Sequence, residues 1–344
     1  MKTLSYLSRM CYWFKFFVRL FMPMLLWQTL SAQTSPQYNV LFISVDDMNE
    51  RCSILDYPAV LTPNLQRLAS HGMVFKNAYC QYTICNPSRT SVMSGWRPDK
   101  TNVLGNNQQP RPRIGYSTKL LPEYFHEFGY RTERHGKIMH SQYEGDCTWD
   151  YSFGGDDEKT NNHISNKTEG DSHDGGSWWI DNIPDSTTEN GVHVNSLLGS
   201  MKQTISQPFF YALGLSTHNA FTPSLNYWNM YGDPKIKELL PIDENGNYSN
   251  LKGNGSSNIA LPATPVNDKA DIPLIAFPDN INLMADTAWQ RVIHAYYAEV
   301  TQMDASLGLV LDVMDSRNLW ANTIVVFWSD HGQHLGEHEG MWLK

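Results

Sequence analysis

An α/β fold with a mostly parallel sheet is what this sequence predicts, from three observations. The runs 38–45 (YNVLFISV), 208–216 (PFFYALGLS) and 323–328 (TIVVFW) are apolar and rich in β-branched or aromatic residues. They lack polar alternation, which is the pattern of strands buried on both faces. Segments of helical period separate them, so strand and helix alternate along the chain. The first run is followed by Asp46-Asp47 and the last by Asp330-His331, and in such sheets ligands gather beyond the carboxyl ends of strands.

Taken in order, the chain opens with Lys2, Arg9, Lys15 and Arg19 before an apolar run at 20–27 and the small residues Ser31 and Ala32. Basic, then apolar, then small is the layout of a secretory signal peptide, residues 1–32, cleaved near Ala32. A membrane anchor is the alternative, but the clean apolar run is shorter than the ~20 residues a span takes. No later stretch reaches spanning length, so the reading is of an exported, secreted or periplasmic protein without a stable membrane span. Residues 38–45 then form a buried strand. Residues 61–72 (LTPNLQRLASHG) form a short helix with Thr62 as cap, Pro63 in the first turn and Gly72 as stop. Helices follow at 86–95 and 118–129, each with a glycine at its end. After the strand at 208–216, residues 286–318 carry the longest helical pattern. There Val292, Tyr296, Val300, Met303, Leu307, Val310 and Met314 make one apolar stripe. Residues 323–328 are expected as another buried strand. Residues 146–190 and 233–279 are rich in Gly, Asn, Asp, Ser and Pro and read as long loops. Trp149, Trp178 and Trp179 in the first could stack on sugar rings, though packing onto the body is the commoner use of such residues.

Composition narrows the function. With 41% apolar and 18% charged residues the chain is that of a globular protein. A net charge of −9 argues against nucleic acid as a partner. It does not exclude an anionic substrate, because a small basic pocket can sit in an acidic protein. Of five cysteines, Cys11 leaves with the signal. Cys52, Cys80, Cys85 and Cys147 remain in a compartment that permits disulfides, and counting alone does not pair them.

The most specific string is Cys85-Asn86-Pro87-Ser88-Arg89. A cysteine opening a helix sits where backbone N–H groups and the helix dipole favour negative charge, and Arg89 adds a fixed cation one turn on. Spacing alone leaves three readings open: a reactive thiolate, a disulfide partner of Cys80, or a buried structural cysteine. Cys-x-Pro-Ser-Arg resembles the signature of the sulfatase family, in which that cysteine is oxidised to formylglycine (3-oxoalanine). The resemblance extends over VLFISVDD, TPNLQRLASHGMVFKNAYCQYTICNPSRTSVMSGWRPD, HGK and WSDHGQHLGEH, most of the chain from Tyr38 onward. GKIMH and WRPDKT are most similar to iduronate-2-sulfatases and bacterial carbohydrate sulfatases.

That resemblance implies an alkaline-phosphatase-like three-layer fold over residues 36–344, lacking a smaller carboxyl-terminal subdomain. It implies a calcium ion held by Asp46, Asp47, Asp330, His331 and the modified Cys85. Three carboxylates suit a hard cation, while the imidazole of His331 stands where many sulfatases have an asparagine. One hydroxyl of the formylglycine hydrate would attack sulfur and the other would let sulfate be expelled as the aldehyde re-forms. Arg89 would hold the nucleophile's oxyanion, while Lys137 and Lys344 would neutralise sulfate oxygens. His140 would be the base of the release step and His218 the acid at the leaving oxygen. The implied partners are a sulfated carbohydrate and a formylglycine-generating maturation enzyme. His71, His126, His163, His173, His193, His294, His334 and His338 read as surface or core residues, and His135 stays ambiguous. Asp56 and Asp99 read as caps or solvated acids.

The chain departs from the family's pattern at Lys344, where relatives continue, and the GEHEGMWLK spacing is one residue longer than theirs. It therefore reads as a partial gene product. Two other readings stay open: a phosphate-ester hydrolase of the same fold, and a metal- and anion-binding relative without turnover.

Overall fold

The computed structural model describes residues 37–55, 57–154, 167–173, 176–204, 206–217, 221–231 and 286–335. The fold lies in the compact unit Asn39–Lys344; the other unit, Met1–Tyr38, holds the predicted signal peptide, which lies outside the described residues. His218, Lys344, Asp56 and the predicted loop at 233–279 also lie outside them. Among the described residues no helix is long and apolar enough to cross a membrane.

Five strands form the main sheet: β1 (Asn39–Asp46), β2 (Arg131–His135), β3 (Tyr151–Phe153), β6 (Phe209–Ser216) and β7 (Thr323–Ser329), in the order β3-β2-β6-β1-β7. Every neighbouring pair is parallel. β1 is flanked on both sides, and all eight of its residues are buried. Its side chains alternate between two cores, as a two-residue period requires. Leu41, Ile43 and Val45 join one core with Leu65, Val194 and Leu197, from helices α1 (Pro63–Ala69) and α4 (Glu189–Met201). The apolar stripe of α5 (Asp286–Ser316) completes that core, with Val292, Tyr296, Val300, Met303, Leu307, Val310 and Met314 all buried. Val40 and Phe42 face the second core with Met93 of α2 (Cys85–Ser94) and with Phe125 of α3 (Leu121–Glu127). The result is a sheet between two helical layers, with α2 on the face that Ser44 and Asp46 share.

Three expectations are corrected. Thr62 does not cap α1; its hydroxyl accepts from the Ser53 amide at 2.9 Å. The orphan amides of Asn64 and Leu65 donate instead to the carboxylate of Asp304 on α5, at 2.9 and 2.7 Å. Segment 146–190 is not one loop: it supplies β3, the antiparallel pair β4 (Lys167–His173) and β5 (Gly176–Asp181), and the start of α4. β7 is not fully buried; it is an edge strand of the sheet among the described residues and leaves Ile324 51% exposed. Trp178 is buried and stacked on Trp228 at 4.8 Å, while Trp149 stacks on Phe210.

Candidate active site

Three elements converge at the carboxyl edge of the sheet. β1 delivers Asp46 and Asp47, β7 delivers Asp330 and His331, and the first turn of α2 delivers Cys85 and Arg89. β1 and β7 are neighbours, so their acidic ends meet although Asp47 and Asp330 are 283 positions apart. Asp47 lies in the left-handed region (φ 64°), a conformation costly for a residue with a side chain. The surroundings hold it there: its amide donates to Asp330 Oδ1 at 3.3 Å, and its carbonyl accepts from the Tyr296 hydroxyl at 3.1 Å.

Cys85 is 1% exposed, at the first position of α2. Its Sγ lies 3.4 Å from Asp46 Oδ1, 3.3 Å from His331 Nε2 and 4.0 Å from Lys137 Nζ. Cys52, Cys80, Cys85 and Cys147 are all free thiols, which removes the disulfide reading of Cys85. Lys137 Nζ also sits 2.6 Å from Asp46 Oδ2. Burial works against its charge, but Asp46 outweighs that and holds the ammonium above its ordinary range. The Lys137 side chain keeps 16% exposure, so the site meets solvent on its side.

Arg89 is fully buried. Its Nε donates to Asp330 Oδ2 at 2.8 Å and its Nη2 to Asp46 Oδ1 at 3.4 Å. Its Nη1 reaches Ser44 Oγ and the carbonyls of Lys137 and Ile138. The guanidinium therefore fixes the carboxylates and the Lys137 turn. This is a task for a planar fork, which a lysine ammonium does not supply.

A metal fits the donor set. Asp46, Cys85, Asp330 and His331 are buried and offer ligand atoms that all lie within 4.8 Å of one another. His331 Nδ1 lies 3.0 Å from the Gly332 carbonyl and 3.3 Å from Asp47 Oδ1. Nε2 lies 3.3 Å from Cys85 Sγ and 3.4 Å from Asp330 Oδ2; with the proton on Nδ1, Nε2 would be the ligand atom. Burial, together with the nearby Asp46 carboxylate, pushes Asp330 above its ordinary range despite the pull of Arg89. Three carboxylates against two cations leave surplus negative charge, the condition that a hard divalent cation relieves.

His140 stands at the head of the turn Ser141–Asp146 with its ring centre 6.1 Å from that of Tyr143. His135 is buried, with Nδ1 2.8 Å from Ser196 Oγ and Nε2 3.4 Å from Glu133 Oε2. Several residues at the site were given no role by the sequence alone. Ser88 donates to the Asp330 carbonyl and Thr217 to that of Asp46. Glu144 accepts from the Ile138 and Met139 amides, and burial lifts its carboxyl to about 7 against the pull of Arg134.

Residues 38–344 match the family model described as Sulfatase. The chain belongs to the sulfatase family. It is 32% identical over 329 residues to a sulfatase of Formosa agariphila, a match covering 87% of this chain and 59% of that protein. Human iduronate 2-sulfatase is 30% identical over 347 residues, covering 92% of the chain and 58% of the relative. The chain thus spans a little over half the length of these sulfatases. In fold it is similar to the phosphonate monoester hydrolase of Agrobacterium radiobacter, with a TM-score of 0.62 at 16% identity, over 88% of this chain and 64% of that one.

Proposed function

We propose that this sulfatase hydrolyses a sulfate ester on a carbohydrate, with Cys85 converted to formylglycine and a calcium ion held by Asp46, Asp47, Asp330 and His331. The observation that carries the reading is the setting of Cys85. One sulfur at a helix start lies within 4.0 Å of a carboxylate, an imidazole and a lysine ammonium. A structural cysteine needs none of these neighbours. The relationship to iduronate 2-sulfatase favours a sulfated uronate or a glycosaminoglycan-like unit as substrate. Export through the signal peptide at 1–32 would bring the enzyme to such polysaccharides.

Bound calcium would supply charge to polarise sulfate oxygens and lower the pKa of the attacking hydroxyl. Formylglycine, as its hydrate, would supply that hydroxyl and a second one that allows sulfate to leave. The chain's own side chains do the rest. Lys137 Nζ neutralises sulfate oxygens as charge builds, in a site dry enough for the interaction to count. Arg89 keeps Asp46 and Asp330 fixed so that the ligands need not reorganise. The Nδ1 proton of His331 stays toward Gly332 and Asp47, which preserves Nε2 as a donor atom. By their place in the family's motifs, His140 takes up the proton released as sulfate leaves and His218 protonates the ester oxygen. Lys344 joins Lys137 on the sulfate.

The test is intact-peptide mass spectrometry across residues 83–89 after coexpression with a formylglycine-generating enzyme, followed by assay of sulfate and phosphate esters. An aldehyde at Cys85 with release of sulfate is the expected result. An unmodified thiol, or hydrolysis confined to phosphate esters, overturns the reading.

A further inference from the structure

The turn that carries Lys137 is gripped from both polarities of its backbone. On one side the Arg89 guanidinium takes the carbonyls of Lys137 and Ile138 at 2.9 and 3.1 Å. On the other, the two oxygens of one carboxylate take the next two amides: Glu144 Oε1 accepts from Ile138 at 2.7 Å and Oε2 from Met139 at 3.0 Å. Glu144 is 6% exposed, with Arg134 Nε 3.6 Å from Oε2. Arg134 in turn donates to the Gly136 carbonyl at 2.8 Å. Gly136 itself (φ 89°) is pressed against His193 and the Gly214 carbonyl so closely that a Cβ has no room. The backbone before, at and after Lys137 is thus fixed by buried charged groups, and Nζ emerges 2.6 Å from Asp46.

A buried carboxylate that spends both oxygens on consecutive amides acts on the conformation of that turn. We infer that Glu144 is a positioning residue, which sets where the Lys137 ammonium stands against the sulfur of Cys85 and the sulfate that would bind there. The inference rests on the reading of Lys137 as the cation that meets sulfate. A carboxylate suits the place because it accepts at both oxygens. A glutamine presents one acceptor and turns an N–H₂ group toward the other amide, so one of the two bonds is lost.

Two readouts separate positioning from mere stability, both on the full chain. The first needs no activity: trace acetylation with acetic anhydride, read by mass spectrometry at Lys137 and normalised to exposed Lys202. Glu144→Gln should raise the Lys137 rate several-fold and leave Lys202 unchanged, because the ammonium is no longer held on Asp46. The second is a double-mutant cycle on matured, calcium-loaded enzyme with an aryl sulfate. Glu144→Gln should lower kcat by about 10- to 100-fold, the scale of a misplaced catalytic group. Combined with Lys137→Ala it should add nothing further. Unchanged acetylation of Lys137, or additive losses in the cycle, overturns the inference. If acetylation rises but even the unsubstituted chain releases no sulfate, the positioning role stands and the sulfatase reading fails. Should Glu144→Gln not fold, Glu144→Asp keeps the charge but withdraws the carboxylate by one methylene, and the same acetylation contrast decides.

Discussion

At the scale of single residues, the site depends on side chains that serve each other. Arg89 uses its whole donor fork on Asp330, Asp46, Ser44 and two carbonyls of the Lys137 turn. Arg89→Lys keeps the charge and loses the fork. It should lower unfolding free energy by about 1–3 kcal/mol, from hydrogen bonds left unmade in a buried site, and should also abolish sulfate release. Urea denaturation beside an activity assay checks this, and a variant of ordinary stability and activity would show that charge alone suffices. Cys85, Arg89, Lys137, Asp46, Asp47, Asp330 and His331 were legible in the sequence because each sits in a contiguous motif. The parts played by Glu144, Thr217 and Tyr296 were not. These residues act on backbone atoms and on one another's neighbours, and a residue that bonds to a main chain imposes no spacing that a motif can reveal. Arg89 shows the opposite limit: its place was legible, but its partners were set by strands far away in sequence.

Among the elements, legibility followed the strength of periodicity. β1, β6 and α5 stood out because burial on both faces, or along one long stripe, leaves little compositional freedom. β4 (KTEGDSH) has no apolar alternation, so nothing in its sequence separated it from a loop. The cap of α1 was misread because the donor groups at a helix start accept any well-placed oxygen. Asp304, 240 positions from Asn64, took the role from Thr62. β2 carries a testable electrostatic feature at Glu133, which is 2% exposed. Burial opposes its ionisation, yet the neighbouring His135, Ser200 and Arg131 prevail and hold the carboxyl down at about 2. A depressed carboxylate contributes stability above its unfolded pKa, and that contribution is lost as pH falls toward the folded value. The stability gap between the unsubstituted chain and Glu133→Gln should therefore shrink by about 2 kcal/mol between roughly pH 6 and pH 3. Denaturant melts at the two pH values would reveal it, and a gap independent of pH would refute it.

For the molecule as a whole, the sheet's order decides when a site exists. The parallel pairing of β1 with β7 places Asp46 beside Asp330, so binding of the proposed metal and docking of β7 would be one event. Calcium should then raise the melting temperature, by the equivalent of about 2.7 kcal/mol at a hundredfold excess over Kd, and a chelator should reverse it. Asp46→Ala should abolish the shift; a variant that still responds to calcium removes Asp46 from the ligand set. The burial of Cys85 has a further consequence, one of timing. In the finished fold its sulfur is 1% exposed between Asp46, His331 and Lys137, too deep for another enzyme's active site to enclose it. Any conversion of that thiol must happen while the strand from the far end of the chain is still unmade or undocked. Synthesis and folding thereby set a deadline, and a chain that folds too quickly keeps its sulfur for good.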